Sequence, residues 1–196
     1  MHSALMYALL TAHGAGVSSV AVPPAFHPDS ACPSRNVPVA GRKSPLDSLT
    51  FSVGNKPIKV CYGRPSSRGR VMLGGKDVPY GKLWRTGANE PTVFFNPIPL
   101  TVAGLRVEPG VYSLYTVPGA KEWEIIVNRS ISQWGKEDQY TSKVQSQEVG
   151  RAKVRSEAVA TPIETFTIRA EPAGQDANLI LEWEKTRLKV PVKPIK

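Results

Sequence analysis

The chain has 196 residues, 41% of them hydrophobic, and a net charge of +9, which allows one sizeable core and excludes an intrinsically disordered protein. Its 18 prolines and 16 glycines fall between short apolar runs, excluding an architecture of long helices and favouring strands joined by turns. The charge is local: from Arg42 to Arg85, ten Lys or Arg stand against Asp47 and Asp77, an excess that suits either a solvated basic face or attraction of anions.

The N-terminus is apolar from Ala4 to Leu10 and again from Val17 to Val22, with His13 and Gly14 between. No Lys or Arg precedes the run, yet small residues near Ser18 to Ala25 resemble a cleavage site, so an export signal is expected. The run is too short and broken for a transmembrane segment. Residues 1–43 therefore read as an export signal followed by a disordered linker rich in Pro, Ser and Ala. Residues 44–196 read as a single domain, and the expected location is periplasmic or secreted. A Cys32–Cys61 disulfide needs an oxidising compartment, and the preferred reading of Cys61 is a small buried hydrophobe inside a strand.

From Ser44 onward the pattern alternates with period two. Leu49, Phe51 and Val53 share a face, Gly54-Asn55 turns the chain, and Ile58, Val60 and Tyr62 share the next face with Lys59 and Cys61 opposite. Short strands are expected at Val71 to Leu73, Leu83 to Thr86, Thr92 to Phe95, Leu100 to Val102, Val111 to Val117 and Trp123 to Val127. One short helix fits within Tyr140 to Val149. Strands resume at Ala152 to Val159, Ile163 to Ala170, Ala177 to Glu184 and Arg187 to Val192, with a tight hairpin at Lys185-Thr186. About ten strands at this spacing predict an all-β, antiparallel β-sandwich or jelly-roll-like barrel.

The motifs that are missing restrict the chemistry. All three histidines (His2, His13, His27) precede the domain, so the domain holds no Ser-His-Asp or Cys-His machinery and no histidine-ligated metal. No Walker loop, dinucleotide glycine fingerprint or EF-hand loop is present, and no cofactor or metal is expected. Asn128-Arg129-Ser130 fits the glycosylation pattern, a triplet frequent by chance.

The segments YGRPSSRGR (62–70), PYGKLWRTGANEPT (79–92), PGVYSLYTVPG (109–119) and W-x-I-I-V-N-R (123–129), followed by QWG (133–135), occur in order. Together they resemble the domain-of-unknown-function 2911 family over roughly Ser44 to Val192. That resemblance implies one compact domain in a bacterial, mostly exported family, and it implies no particular reaction.

The candidate site lies in the stretch from Tyr62 to Glu90. Arg64, Arg68, Arg70 and Arg85 can grip carboxylate or phosphate bidentately. Gly87 and Asn89 permit a turn with positive φ that would present Arg85, Thr86, Asn89 and Glu90 together. Trp84, Tyr112, Tyr115 and Trp134 offer stacking surfaces for a sugar or aromatic ligand, although aromatic side chains usually serve burial. Three readings follow. The first is a module binding a small anionic or sugar-like ligand. The second is a hydrolase or lyase with Glu90 as general base and arginines stabilising negative charge. The third is a purely structural protein in which arginine–carboxylate pairs tie loops together. Nucleic acid is not an expected partner, since the basic excess comes with no recognised binding motif.

Overall fold

The computed structural model describes residues 31–34 and 38–195, so the expected export signal lies outside the described residues. Strands β1 (Leu46–Val53) and β2 (Lys56–Gly63) are joined by Gly54 and Asn55, both at positive φ, as the two-residue hairpin turn requires. Then follow β3 (Thr92–Asn96), β4 (Leu100–Val102), β5 (Leu105–Val107), β6 (Gly110–Val117) and β7 (Glu122–Asn128). A 3-10 turn (Glu137–Gln139) and a single helical turn, α1 (Ser142–Gln145), precede the two long strands β8 (Glu148–Ala173) and β9 (Asp176–Pro194).

Among the described residues the pairings between these strands are all antiparallel, and the nine strands run β1-β2-β3-β6-β7-β8-β9-β4-β5. Strand β8 serves two layers. Residues up to Arg155 pair with β7, and those from Ser156 pair with β9, so the sheet bends across β8 and its halves face each other. The first layer's edge returns to the second: Gly54 donates its N–H to the Gln175 carbonyl, and Ser66 bridges Thr165. The expected all-β sandwich is what forms.

Between the layers lies an aromatic core. Trp84 stacks on Trp183 at 5.7 Å and meets Phe166 and Trp123 edge-on. A core indole of this kind is worth on the order of 3–5 kcal/mol against truncation to Ala. Tyr62 packs edge-on to Phe166 while its hydroxyl donates to the Ile168 carbonyl and accepts from the Ile168 N–H.

Four local expectations are corrected. Val71 to Leu73 and Leu83 to Thr86 are not strands; each contributes one isolated bridge, Leu73–Val78 and Trp84–Thr116. The Met72 and Leu73 N–H groups are spent on the Glu184 carboxylate at 2.8 Å each rather than on a neighbouring strand. Thr86, at φ 57°, breaks the second run. Lys185-Thr186 makes no hairpin: β9 runs on through an irregularity at Glu184, whose φ is 51°. Likewise Ala152 to Val159 and Ile163 to Ala170 are parts of one strand, bulged where the step from Ala158 to Thr167 opposes only that from Thr186 to Glu182. Cys61 is buried inside β2 as expected, and of the two readings open for it the disulfide to Cys32 is the one that forms.

Candidate functional site

The loop from Trp84 to Glu90 is fixed by its backbone. Trp84 exchanges both main-chain hydrogen bonds with Thr116, and the Thr92 N–H donates to the Arg85 carbonyl, closing the loop on itself. Thr86 and Asn89 both take positive φ, and the Thr92 hydroxyl donates to the Thr86 carbonyl at 2.6 Å. The Ala88 N–H reaches the Gly63 carbonyl, an approach so close that any side chain at Gly63 would collide with Ala88. On the outer side, a Cβ at Gly135 would stand 2.5 Å from the Asn89 carbonyl oxygen and 2.7 Å from Arg85 Cδ. The QWG segment is thus seated directly against this loop.

A strap from the chain's N-terminal part holds the loop from outside. Arg42 donates to both Glu90 carboxylate oxygens at 2.8 and 2.9 Å, with side-chain exposures of 2% and 6% for the two residues. Arg42 also donates from Nε to the Pro38 carbonyl. The Ser44 carbonyl accepts from Asn89, the Lys43 carbonyl accepts from Arg68, and Cys32 is bonded to Cys61. Glu90 is therefore held bidentately by a buried cation.

Beside this closed pair lies an open cleft of about 280 Å³, with Pro65, Arg70, Trp84, Arg85, Asn89 and Glu137 on its wall. Arg70 is half-exposed and donates to Asp77 at 2.7 Å and to the carbonyls of Ser66 and Ser67. Arg85 is different. Among the described residues its guanidinium makes one hydrogen bond, from Nη1 to the Asn89 carbonyl at 2.9 Å. Its Nε is buried without an acceptor, and Nη2 stands 4.0 Å from Glu137 Oε1, too far to be a hydrogen bond. A guanidinium carries five donors, so most of this cation's capacity is unspent.

The structure thus brings Arg70, Trp84, Arg85 and Asn89 to one cleft. It does not bring the other candidates there. Arg64 pairs with Asp47 and donates to Thr167 on β8. The Arg68 backbone N–H donates to Glu164 at 2.6 Å, tying its loop to β8. Thr86 is fully buried and shares a hydrogen bond with Thr116. Tyr112 lies in the core with its hydroxyl on the Glu108 carbonyl. Trp84 shows the cleft only an edge, since its ring is 4% exposed and its Nε1 donates to Gly87.

Tyr115 belongs to a separate polar cluster under the loop that follows β7. It accepts from Gln133 at 3.0 Å and packs edge-on to Tyr140 at 4.7 Å. Burial pushes its hydroxyl up to about 12. Tyr140 donates to Glu148 at 2.7 Å, and Arg151 grips the same carboxylate. Hydrogen bonds from Arg151, opposed by burial and aided by Tyr140, hold Glu148 below the usual carboxylate range. Asn128 is fully buried, donating to Tyr140 and to the Val144 carbonyl. The glycosylation triplet is therefore a structural element in this fold.

Sequence reasoning missed Glu137 as a cleft residue and Arg42 as the partner of Glu90. The 48 positions between Arg42 and Glu90 leave no local signal. Among the described residues no helix is long and apolar enough to cross a membrane, and no group of three or more His, Cys, Asp or Glu could hold a metal ion. In comparisons with known proteins, the family model described as protein of unknown function DUF2911 matches residues 44–192. No curated protein and no solved structure matches the chain.

Proposed function

From the premise that the chain belongs to the DUF2911 family of proteins of unknown function, we propose that it is an exported protein binding a small ligand by an anionic group in the cleft at Arg85. The observation that carries this reading is the unspent guanidinium: one hydrogen bond, a buried Nε with no acceptor and a carboxylate only at 4.0 Å. A buried donor left unmade costs about 1–3 kcal/mol, so a fold that tolerates it in a cleft wall points to function rather than to scaffolding. The other arginines of the stretch are engaged by carboxylates or carbonyls, and their part is to hold the loops. Glu90, held on both oxygens by Arg42, belongs with that scaffold, and this reading gives it no role as a base. Export is supported by the Cys32–Cys61 bond, a type of link that persists in oxidising compartments.

The test is isothermal titration of the full chain with acetate, 3-phenylpropionate, glucuronate and inorganic phosphate, repeated on Arg85→Gln. Saturable binding of at least one anion, weakened about tenfold or more in the variant, is the expected result. Absence of binding to all four, or binding indifferent to Arg85→Gln, would remove the reading.

A further inference from the structure

The charges at the cleft mouth say more about the ligand, on the premise that Arg85 is its anchor. Glu137 stands beside Arg85 and is half-exposed, and among the described residues its carboxylate accepts no hydrogen bond. The two groups are adjacent and opposite in sign, an ion pair at 4.0 Å with no hydrogen bond between them. A simple anion seated on Arg85 would sit against the Glu137 charge, which disfavours it. A neutral sugar would bring no charge of its own to either group. A ligand carrying an anion and a cation on neighbouring atoms satisfies both at once.

The cleft also continues past these charges. A second chamber of about 290 Å³ adjoins the first, sharing Asp77, Val78, Trp84 and Glu137 with it and adding Lys76, Pro79, Lys82 and Leu83. Val78, Pro79, Leu83 and Trp84 make an apolar wall of this chamber next to the charged pair, and Lys76 and Lys82 line the rest of it. A charged head with a short apolar substituent fits that order of surfaces.

We infer that the cleft takes a zwitterionic α-amino compound with an apolar side chain. Its carboxylate meets Arg85, its ammonium meets Glu137, and its side chain lies on the apolar wall beside Trp84. The main-chain carbonyl of Asn89 fixes Nη1, and with Nε buried it is Nη2 that is left for the carboxylate.

The experiment titrates the full chain with phenylalanine, 3-phenylpropionate and 2-phenylethylamine, which share the ring and differ in the head group, and repeats the series on Glu137→Gln. Glu137 is exposed enough for the variant to fold, which a melting curve verifies. Phenylalanine is expected to bind about tenfold or more tightly than either single-charge analogue. In Glu137→Gln its affinity falls to that of 3-phenylpropionate, whose own affinity stays the same or rises. Equal binding of phenylalanine and 3-phenylpropionate to the wild type, or an unchanged phenylalanine affinity in Glu137→Gln, overturns the zwitterion while 3-phenylpropionate binding sensitive to Arg85→Gln preserves the anion site. Binding by none of the three overturns both.

Discussion

Arg42, which straps the seven-residue loop from outside, and Arg85, which belongs to it, are used in opposite ways. Arg42 is sealed, with 2% of its side chain exposed and both Glu90 oxygens in its fork. Arg85 is 20% exposed, makes one hydrogen bond among the described residues, to a carbonyl, and stands 4.0 Å from the Glu137 carboxylate. The difference teaches that a basic stretch does not have one purpose. A buried cation with a perfectly placed partner is scaffolding, whereas one left underused in a cleft wall is available to something else.

The largest expected effect comes from breaking the sealed side. Glu90→Gln removes the carboxylate held by the buried Arg42 fork, and loss of one partner of such a pair costs about 3–5 kcal/mol. Urea unfolding should show that loss as a lower midpoint with little change in slope. A loss under 1 kcal/mol would mean the pair is not a fastening. Next comes the disulfide. Replacing both Cys32 and Cys61 by Ser opens a link across 29 positions, with an expected cost of about 3–4 kcal/mol from loop entropy. The same variant should loosen the loop indirectly, because the strap that Cys32 anchors also carries Arg42. An unchanged unfolding midpoint would separate the strap from the stability of the domain.

Much of the fold was legible in the alternation. The β1–β2 hairpin, β3, β6 and β7 lie within a residue or two of where the periodicity places them, because each has one face on the core. The long strands were not. Lys185-Thr186 carries a hairpin's spacing, but the chain there only kinks at Glu184 to aim a carboxylate at Met72 and Leu73. The apolar run at Val71 has a strand's pattern and forms none for the matching reason: a distant side chain, invisible to local pattern, takes the N–H groups of Met72 and Leu73. At the site, the glycine and asparagine of WRTGANE announced a loop with positive φ, and Asn89 takes it. What the sequence could not announce was pairing. Nothing local says that Arg42, not Arg70 or Arg85, takes Glu90, or that Glu137 arrives beside Arg85 from the far side of β7.

A smaller effect concerns acid. Glu148 has its folded pKa held below its ordinary value, 4.5, first by the Arg151 hydrogen bonds. Its contribution is therefore fully present above about pH 4.5 and is lost as the pH falls below that through the folded value. Stability measured by urea unfolding should decline on acidification in that window, and Glu148→Gln should flatten the decline. An identical acid slope in the variant would assign it to other carboxylates. The smallest effect on stability is expected at the open side: Arg85→Gln gives up one hydrogen bond and also removes a buried donor that had no acceptor, so the net change should stay within about 1 kcal/mol.

The measurement that tests the central claim most directly is binding of 3-phenylpropionate to Arg85→Gln and wild type by calorimetry, with unfolding midpoints of the same samples. The account predicts saturable binding by the wild type, a loss of about tenfold or more in the variant, and midpoints that coincide. A variant that unfolds as Glu90→Gln is expected to, or a wild type that does not bind the carboxylate, would show that Arg85 is scaffolding like Arg42.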